Sequence, residues 1–337
     1  MADLAPLFAA PSLDTPGVAF GDTLFPGSQG AGQYGGVQRV LLMAYTIAGI
    51  WHSETLFEEN GWEYPKTWDE MLGFCDMVKS TTDMAPWTYQ GRYPQYMNFG
   101  VLWPLIYKNG GIQAVIDIDN LVDGAWENPA VLKSAQMIQE LYNQDFIMAG
   151  TEGLTHTESQ AEWLQGKAVF LPCGTWLENE MRELTPENFN MVVKPVPGET
   201  EDVYASIGAW AGETFIVPSQ GNNPVGGMEY LRCLMSKENA KWFAQNVGAI
   251  MPVIGGTEGV ELSSAVRSAT GIAEAAGDNI FDYQIDAWYT DLNNEMRDRT
   301  GDLLTGRMTP EQWVEAMQAK ADETKADDAI PKYERTS

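Results

Sequence analysis

Histidine and cysteine are scarce in this chain of 337 residues, which holds only His52 and His156 and three cysteines, Cys75, Cys173 and Cys233. Two histidines far apart in sequence offer no metal-ligating cluster. The cysteines are widely spaced and odd in number, with no CxxC pair, so no disulfide framework is expected. Each is expected to pack as a small hydrophobe: Cys75 on the apolar face of a helix, Cys173 at a strand end, Cys233 inside an apolar helix. Positive charge is scarce too, with 20 Lys and Arg against 47 Asp and Glu and a net charge of −27. That balance excludes nucleic acid and an anionic membrane surface as partners. No apolar run is long enough to span a bilayer. Residues 1–20 lack the basic start and apolar stretch of a secretion signal. GxSxG, HExxH and DxDxDG motifs are missing. The glycines of Gly30–Gly36 have neither a strand before them nor an amphipathic helix after, so they do not read as a phosphate loop. No cofactor and no metal is expected.

What is present is a large apolar fraction, 44%, with 12 Trp and 13 Tyr. A chain of this length can bury a sizeable core and suggests two domains. Residues 1–36 read as loop with short turns. Strands are expected at Val37–Met43, Ala168–Pro172, Phe189–Val193 and Thr214–Val217. Capping boxes are expected at Thr67…Glu70, Thr157…Gln160 and Thr309…Gln312. Thr185-Pro186 and Thr309-Pro310 read as N-cap followed by a proline in the first helical position. Met71, Phe74, Cys75 and Val78 recur at helical spacing, as do Val131, Ala135, Ile138 and Tyr142 after Pro129. Met228, Leu231, Leu234 and Met235 mark a further helix. Ser236 caps the next one, which carries Trp242 and Phe243 inward and stops at Gly248. The charged tail after Ala321 is expected to fray. Strands alternate with helices, so the fold class is α/β.

Residues 162–181, EWLQGKAVFLPCGTWLENEM, carry the clearest functional signal. A helix around Trp163 and Leu164 turns at Gly166-Lys167 into a strand, and Trp176 then sits where the strand gives way to a new helix. Ligands of open α/β sheets bind at that carboxyl edge. Trp176 is read either as a ring for the apolar face of a sugar or as a core residue at a helix start. Trp87, Tyr89, Tyr93, Trp210 and Trp288 also fall in loops or at element ends beside Gly, Pro or polar amides, whereas Trp163, Trp242 and Trp313 read as core. Aromatics among amides and carboxylates suit a pocket that stacks on sugars and hydrogen-bonds their rims. Glu213 precedes an apolar run and is read as a carboxylate at the mouth of a buried strand. Its partner there is a sugar hydroxyl, a backbone amide or an arginine. No pair of carboxyls stands out as the two a glycosidase needs.

Five segments in order resemble the carbohydrate-type extracellular solute-binding proteins of ABC importers. They are KTWDEMLGFCDMV (66–78), WPLIYKNGG (103–111), EWLQGKAVFLPCGTW (162–176), GETFIVPSQGNNP with MEYLRCLMSKENAKWFAQNVGAIMPV (212–253), and LLTGRMTPEQWVEAMQAKAD (303–322). The likeness runs from about residue 20 to 325. APWTYQGRYPQYM (85–97), GTWLENEM (174–181) and GAWAGETFIVP (208–218) resemble the subgroup of N-acetylglucosamine- and diacetylchitobiose-binding lipoproteins. The resemblance implies two α/β lobes that close on a sugar held between them. The expected division is 1–45 plus 211–255 for the first lobe, 46–210 plus 256–325 for the second, and a tail at 326–337. By the family pattern, Trp176 and Trp288 stack on sugar, Tyr45 lies near the first crossover, and Trp210 and Glu213 lie at the return crossover. Trp87, Tyr89, Gln90 and Asn179 complete the expected ligand-binding set.

The resemblance further implies a sugar ligand, ABC permease subunits in the membrane as partners, a monomer, and a location outside the cytoplasm, periplasmic or lipid-anchored. The opening ADLAPLFAAPSLD resembles the segment that follows the family's first strand–helix–strand units. The expectation is therefore an N-terminally truncated chain with an incomplete first lobe, no export signal and poor solubility on its own. Two other readings stand beside sugar binding: a glycoside-active enzyme using Glu213 or Glu178, and a truncated remnant that binds nothing.

Overall fold

The computed structural model describes residues 1–25, 28, 32–34 and 36–336. Gly30, Ala31 and Gly35 of the spaced-glycine segment lie outside the described residues. The strands are β1 (Gln33–Tyr34), β2 (Val37–Gln38), β3 (Leu41–Ser53), β4 (Ala85–Trp87), β5 (Ala168–Gly174), β6 (Met191–Lys194), β7 (Ile207–Phe215) and β8 (Ile280–Phe281). The first helices are α1 (Ala5–Phe8), α2 (Glu54–Asn60), α3 (Trp68–Thr81), α4 (Gln95–Met97), α5 (Trp103–Asp119), α6 (Pro129–Asn143) and α7 (His156–Leu164). They are followed by α8 (Leu177–Met181), α9 (Pro224–Leu234), α10 (Lys237–Asn246), α11 (Ser264–Ala276), α12 (Ile285–Trp288), α13 (Thr290–Leu303) and α14 (Pro310–Ala326).

The chain divides into two compact units. Unit 1 takes residues up to Ile47, then Thr175–Glu180 and Ala209–Ile280; unit 2 takes Ala48–Gly174, Met181–Gly208 and the chain from Phe281 onward. This differs from the expected division: residues 256–280 pack with unit 1, and the short Thr175–Glu180 segment joins it as well. Within that region α11 buries Ala265, Val266, Ala269 and Ile272.

Strand β3 is the axis of the sheet. Its first half pairs antiparallel with β7, from Leu41 opposite Phe215 to Ile47 opposite Ala209. Its second half pairs antiparallel with β5, Ala48 opposite Gly174 through Trp51 opposite Leu171, and with β6, Ile50 opposite Lys194 through Ser53 opposite Met191. Beyond β5, strand β4 runs parallel, with Trp87 opposite Phe170. The expected strand at Val37–Met43 covers only the beginning of this ladder. LLMAYTIAGIWHS is apolar almost throughout because β3 is buried on both faces, and such a run shows no alternation to separate strand from helix. Gly49 is required there, since a Cβ would lie 2.5 Å from the Lys194 carbonyl oxygen of the neighbouring β6.

Capping chemistry sets several helix starts. Thr67 accepts from the Glu70 amide while the Glu70 carboxylate accepts from the Lys66 and Thr67 amides, at 2.9 and 3.2 Å. Those bonds hold the Glu70 carboxyl below its ordinary pKa. Thr309 and Gln312 form the same box before α14, with Pro310 in the first helical turn. The box expected at Thr157…Gln160 sits two residues earlier, at Thr155…Glu158, so Thr157 lies inside α7. Two overlapping threonine patterns compete, and the carboxylate of Glu158 is the stronger acceptor for an N-cap amide. No helix follows Thr185-Pro186; the segment is a turn closed by Thr185 bonding back to the Met181 carbonyl.

Unit 2 has the larger core, built on Trp87, Trp103, Trp126, Phe170 and Trp313 with α3, α5, α6 and α14 packed around them. Unit 1 gathers Leu4, Leu7, Phe20, Leu41, Val217, Leu231 and Met251. Three expected core residues lie outside. Trp242 is 59% exposed on α10, where Ala240 and Ala244 are the buried positions. Tyr142 is exposed while Leu141 turns inward on α6. Cys233 is exposed, unlike the buried Cys75 and Cys173. The expected frayed tail is instead ordered: α14 runs to Ala326, and Arg335 forms ion pairs with Asp119 and Asp282.

Candidate functional site

In unit 1 the geometry centres on Ile47 of β3. The Thr175 amide donates to the Ile47 carbonyl at 3.1 Å, and the Ile47 amide donates to the Thr175 hydroxyl at 3.4 Å. On the other side of β3, Ile47 faces Ala209 and Thr46 faces Trp210. Trp176 and Trp210 therefore each follow a residue tied to Ile47, and both indoles are half-buried. The structure brings these two predicted residues to either side of one strand residue.

Trp176 leads into α8, and the Glu180 amide closes on its carbonyl at 3.0 Å. Asn179 is exposed on that short helix. Glu178 accepts a hydrogen bond from the Ser263 hydroxyl at 2.8 Å, and Ser263 in turn caps α11. This ties the tryptophan-bearing turn to the body of unit 1. Glu213 is exposed on β7, opposite Ala44 where the register shifts. It does not sit at the mouth of a buried strand as expected, because Gly212, Glu213 and Thr214 are all exposed. Gly212 beside it permits the close approach of Thr46, whose hydroxyl occupies the space a Cβ would need. Tyr45 is buried; its amide donates to the Ile250 carbonyl at 2.8 Å and its ring meets Phe25 edge-on at 6.0 Å.

In unit 2 the predicted residues separate into interior and surface. Trp87 is 1% exposed, donates its indole N–H to Cys75 Sγ at 3.2 Å, and lies 5.4 Å from the Phe170 ring. Tyr89 is buried, and burial raises its phenol pKa. Gln90 is fully buried and donates to the Pro172 carbonyl at 3.0 Å, while its own carbonyl oxygen has no partner among the described residues. Tyr93 is exposed. Trp288 ends α12 half-buried, with Tyr289 and Tyr333 rings at 6.2 and 5.4 Å.

Asn98 is a residue that sequence reasoning missed. It opens a π-helical turn, Asn98–Leu102, and is buried with both side-chain amide atoms unpartnered among the described residues. Such turns and orphaned amides mark functional places or bound water. A lone asparagine in NFGVL carries no sequence signal of this kind.

His52 lines a surface hollow of unit 2 with Trp62, Tyr64 and Lys194. Burial, with Lys194 adding to it, pushes the imidazole down to about 3, so His52 is neutral. Among the described residues no three His, Cys, Asp or Glu side chains converge as metal ligands, and no helix is long and apolar enough to cross a membrane.

The family of bacterial extracellular solute-binding proteins matches residues 14–274. The diacetylchitobiose binding protein NgcE of Streptomyces coelicolor is 32% identical over 337 aligned residues, covering 98% of this chain and 70% of that protein. A chitin oligosaccharide binding protein superposes with a TM-score of 0.75 at 18% identity, covering 96% of this chain and 78% of the other. The solute-binding protein RafE in complex with raffinose superposes with a TM-score of 0.72 at 17% identity, covering 91% and 78%. These structural likenesses establish the two-lobed α/β fold that the sequence segments implied. With a family match across most of its length and a full-span relative, the chain belongs to the bacterial extracellular solute-binding proteins.

Proposed function

We propose that this chain binds a carbohydrate as the solute-binding component of an ABC importer, outside the cytoplasmic membrane and as a monomer. The sugar we propose is N-acetylglucosamine or its dimer diacetylchitobiose. The observation that carries the reading is the placement of Trp176 and Trp210 on either side of Ile47, with exposed Asn179 and Glu213 on the same short elements. The NgcE relative supports the choice of sugar.

An indole face stacks on the apolar face of a pyranose ring, and aromatic stacking contributes about 0.5–1.5 kcal/mol beyond the area buried. Asn179 offers both a donor and an acceptor to hydroxyl or acetamido groups. Glu213 accepts from sugar hydroxyls, and a hydrogen bond to a charged group contributes about 1.5–3 kcal/mol. Trp288, half-buried at the end of α12, is a stacking ring of unit 2 considered by itself. Tyr45 is an interior residue of unit 1, and Trp87, Tyr89 and Gln90 are interior residues of unit 2. The exposure of Glu213 supports binding over catalysis, since a glycosidase's general acid works with a raised pKa opposite a second carboxyl. The permease partners and the lipid anchor are carried by the family likeness.

A thermal-shift panel with N-acetylglucosamine, diacetylchitobiose, maltose, xylobiose and cellobiose tests this. Ligand at 100 times Kd stabilises the native state by about 2.7 kcal/mol. The expected result is a rise in Tm with the acetylated amino sugars, abolished in Trp176→Ala. A rise only with another sugar removes the assigned ligand, and no rise with any sugar sinks the reading.

A further inference from the structure

The segment after α14 is bound to unit 2 at several points. Ile330 packs against the core of the unit. Lys332 wraps its ammonium onto the carbonyls of Asp327 and Ile330, at 2.7 and 2.6 Å. The Tyr333 amide donates to the Tyr289 hydroxyl at 3.1 Å. Asn120 and Arg335 exchange two hydrogen bonds at 2.8 Å, amide to side chain and side chain to carbonyl. The Arg335 guanidinium then reaches the Asp119 carboxylate at 2.8 Å, the Asp282 carboxylate at 3.2 Å and the Asp282 carbonyl at 3.1 Å.

Asp119 is fully buried at the end of α5. Its other oxygen accepts from the amides of Gln284 and Ile285 at 2.8 and 3.1 Å, which opens α12. One carboxylate thus holds both the start of the helix that ends in Trp288 and the guanidinium of the terminal segment. Between these anchors Tyr333 is 46% exposed, with its ring 5.4 Å from that of Trp288 and inclined by 30°. An exposed aromatic is ordinarily mobile. Here its backbone is held by buried charge on one side and by Tyr289 on the other.

We propose that residues 330–335 form a latched strap that makes Tyr333 a ligand-contacting aromatic beside Trp288, selecting for the longer sugar. This rests on the carbohydrate reading above. The latch presets the Tyr333 backbone before ligand arrives, so little ordering remains to be done on binding. A second ring beside Trp288 lengthens the stacking surface, which favours a disaccharide over a monosaccharide.

The test measures sugar affinity by calorimetry for the full chain and for Tyr333→Ala, Tyr333→Phe and Arg335→Met. It also measures hydrogen exchange at the Tyr333 and Arg335 amides. Tyr333→Ala is expected to weaken diacetylchitobiose by roughly threefold to tenfold, with a smaller effect on N-acetylglucosamine, and Tyr333→Phe to restore binding. Arg335→Met is expected to remove exchange protection from both amides and to weaken the disaccharide likewise. Unchanged disaccharide affinity in Tyr333→Ala overturns the contact, a result that remains readable because an exposed tyrosine can be replaced without unfolding the unit. If the unaltered chain binds no sugar, the functional reading fails. The exchange measurement still judges the strap separately, and unprotected amides in the unaltered chain overturn it.

Discussion

Lys108 and Ser206 are joined twice: the Lys108 ammonium donates to the Ser206 carbonyl at 2.8 Å and to its hydroxyl at 2.9 Å. The same ammonium also reaches the carbonyls of Val203 and Tyr204, at 2.7 and 2.9 Å. Lys108 lies in the WPLIYKNGG stretch of α5, and residues 203–206 lead directly into β7. A buried lysine thus fixes the start of the strand that carries Trp210 and Glu213.

Lys108→Met is expected to lower stability by about 2–3 kcal/mol, because it leaves buried carbonyls without donors. Burial pushes the Lys108 pKa down to about 7, below the value of about 10.4 for an exposed lysine. Between these two pH values the unfolded chain holds a proton that the folded chain lacks, so the Lys108 contribution to stability rises with pH there. Below pH 7 both states are protonated and the dependence vanishes. Denaturant titrations should show unaltered-minus-variant stability rising from about pH 7 to 10, by up to about 1.4 kcal/mol per unit. A flat difference refutes this account.

Trp87 and Trp176 should separate cleanly. Trp87→Ala empties a core position and is expected to cost about 3–5 kcal/mol of stability. Trp176→Ala, at a half-buried position, should leave most of the stability and remove sugar binding. Chemical denaturation and calorimetry on the two variants decide it; the reverse pattern would place the ligand against Trp87.

Thiol chemistry should discriminate the cysteines. Cys75 and Cys173 are buried, Cys233 is exposed, and burial raises the Cys75 thiol to about 12. A thiol-specific reagent should modify one cysteine in the native protein and three after denaturation. Peptide mapping should find the native label on Cys233, and rapid native labelling at Cys75 would contradict the packing.

The cap of α7 offers a comparison between neighbouring threonines. Thr155→Ala is expected to cost about 1 kcal/mol, since Thr155 makes the box with Glu158. Thr157→Ala, inside the helix, should stay within about 0.5 kcal/mol. Equal losses in urea titrations would reject the assignment.

Local chemistry was legible in the sequence wherever a few neighbouring residues decide the outcome. The boxes at Thr67 and Thr309, the strand running into Gly174 and the helix from Pro129 all follow from side chains within a turn of one another. The expectation of an inward Trp242 fails for a specific reason. Helical spacing shows that α10 has an apolar face, but Ala240 and Ala244 are smaller and pack closer, so the larger ring is left outside. The expectation for Trp87 fails in the opposite sense: Gly, Pro and polar neighbours suggest a surface loop, yet β4 lies against β5 and turns that ring onto Cys75 and Phe170.

By itself the sequence determined the fold class, the family, the absence of metal and nucleotide motifs, and the segments in which Trp176, Trp210 and Trp288 stand. Those properties depend on composition and on order along the chain. The tertiary structure alone decided that Thr175 and Ala209 meet at Ile47, that Lys108 holds the approach to β7, and that Arg335 returns to Asp119 across 216 positions. Each of these joins residues far apart in sequence through hydrogen bonds or buried charge. Their partners are selected by packing in three dimensions, which no local spacing encodes.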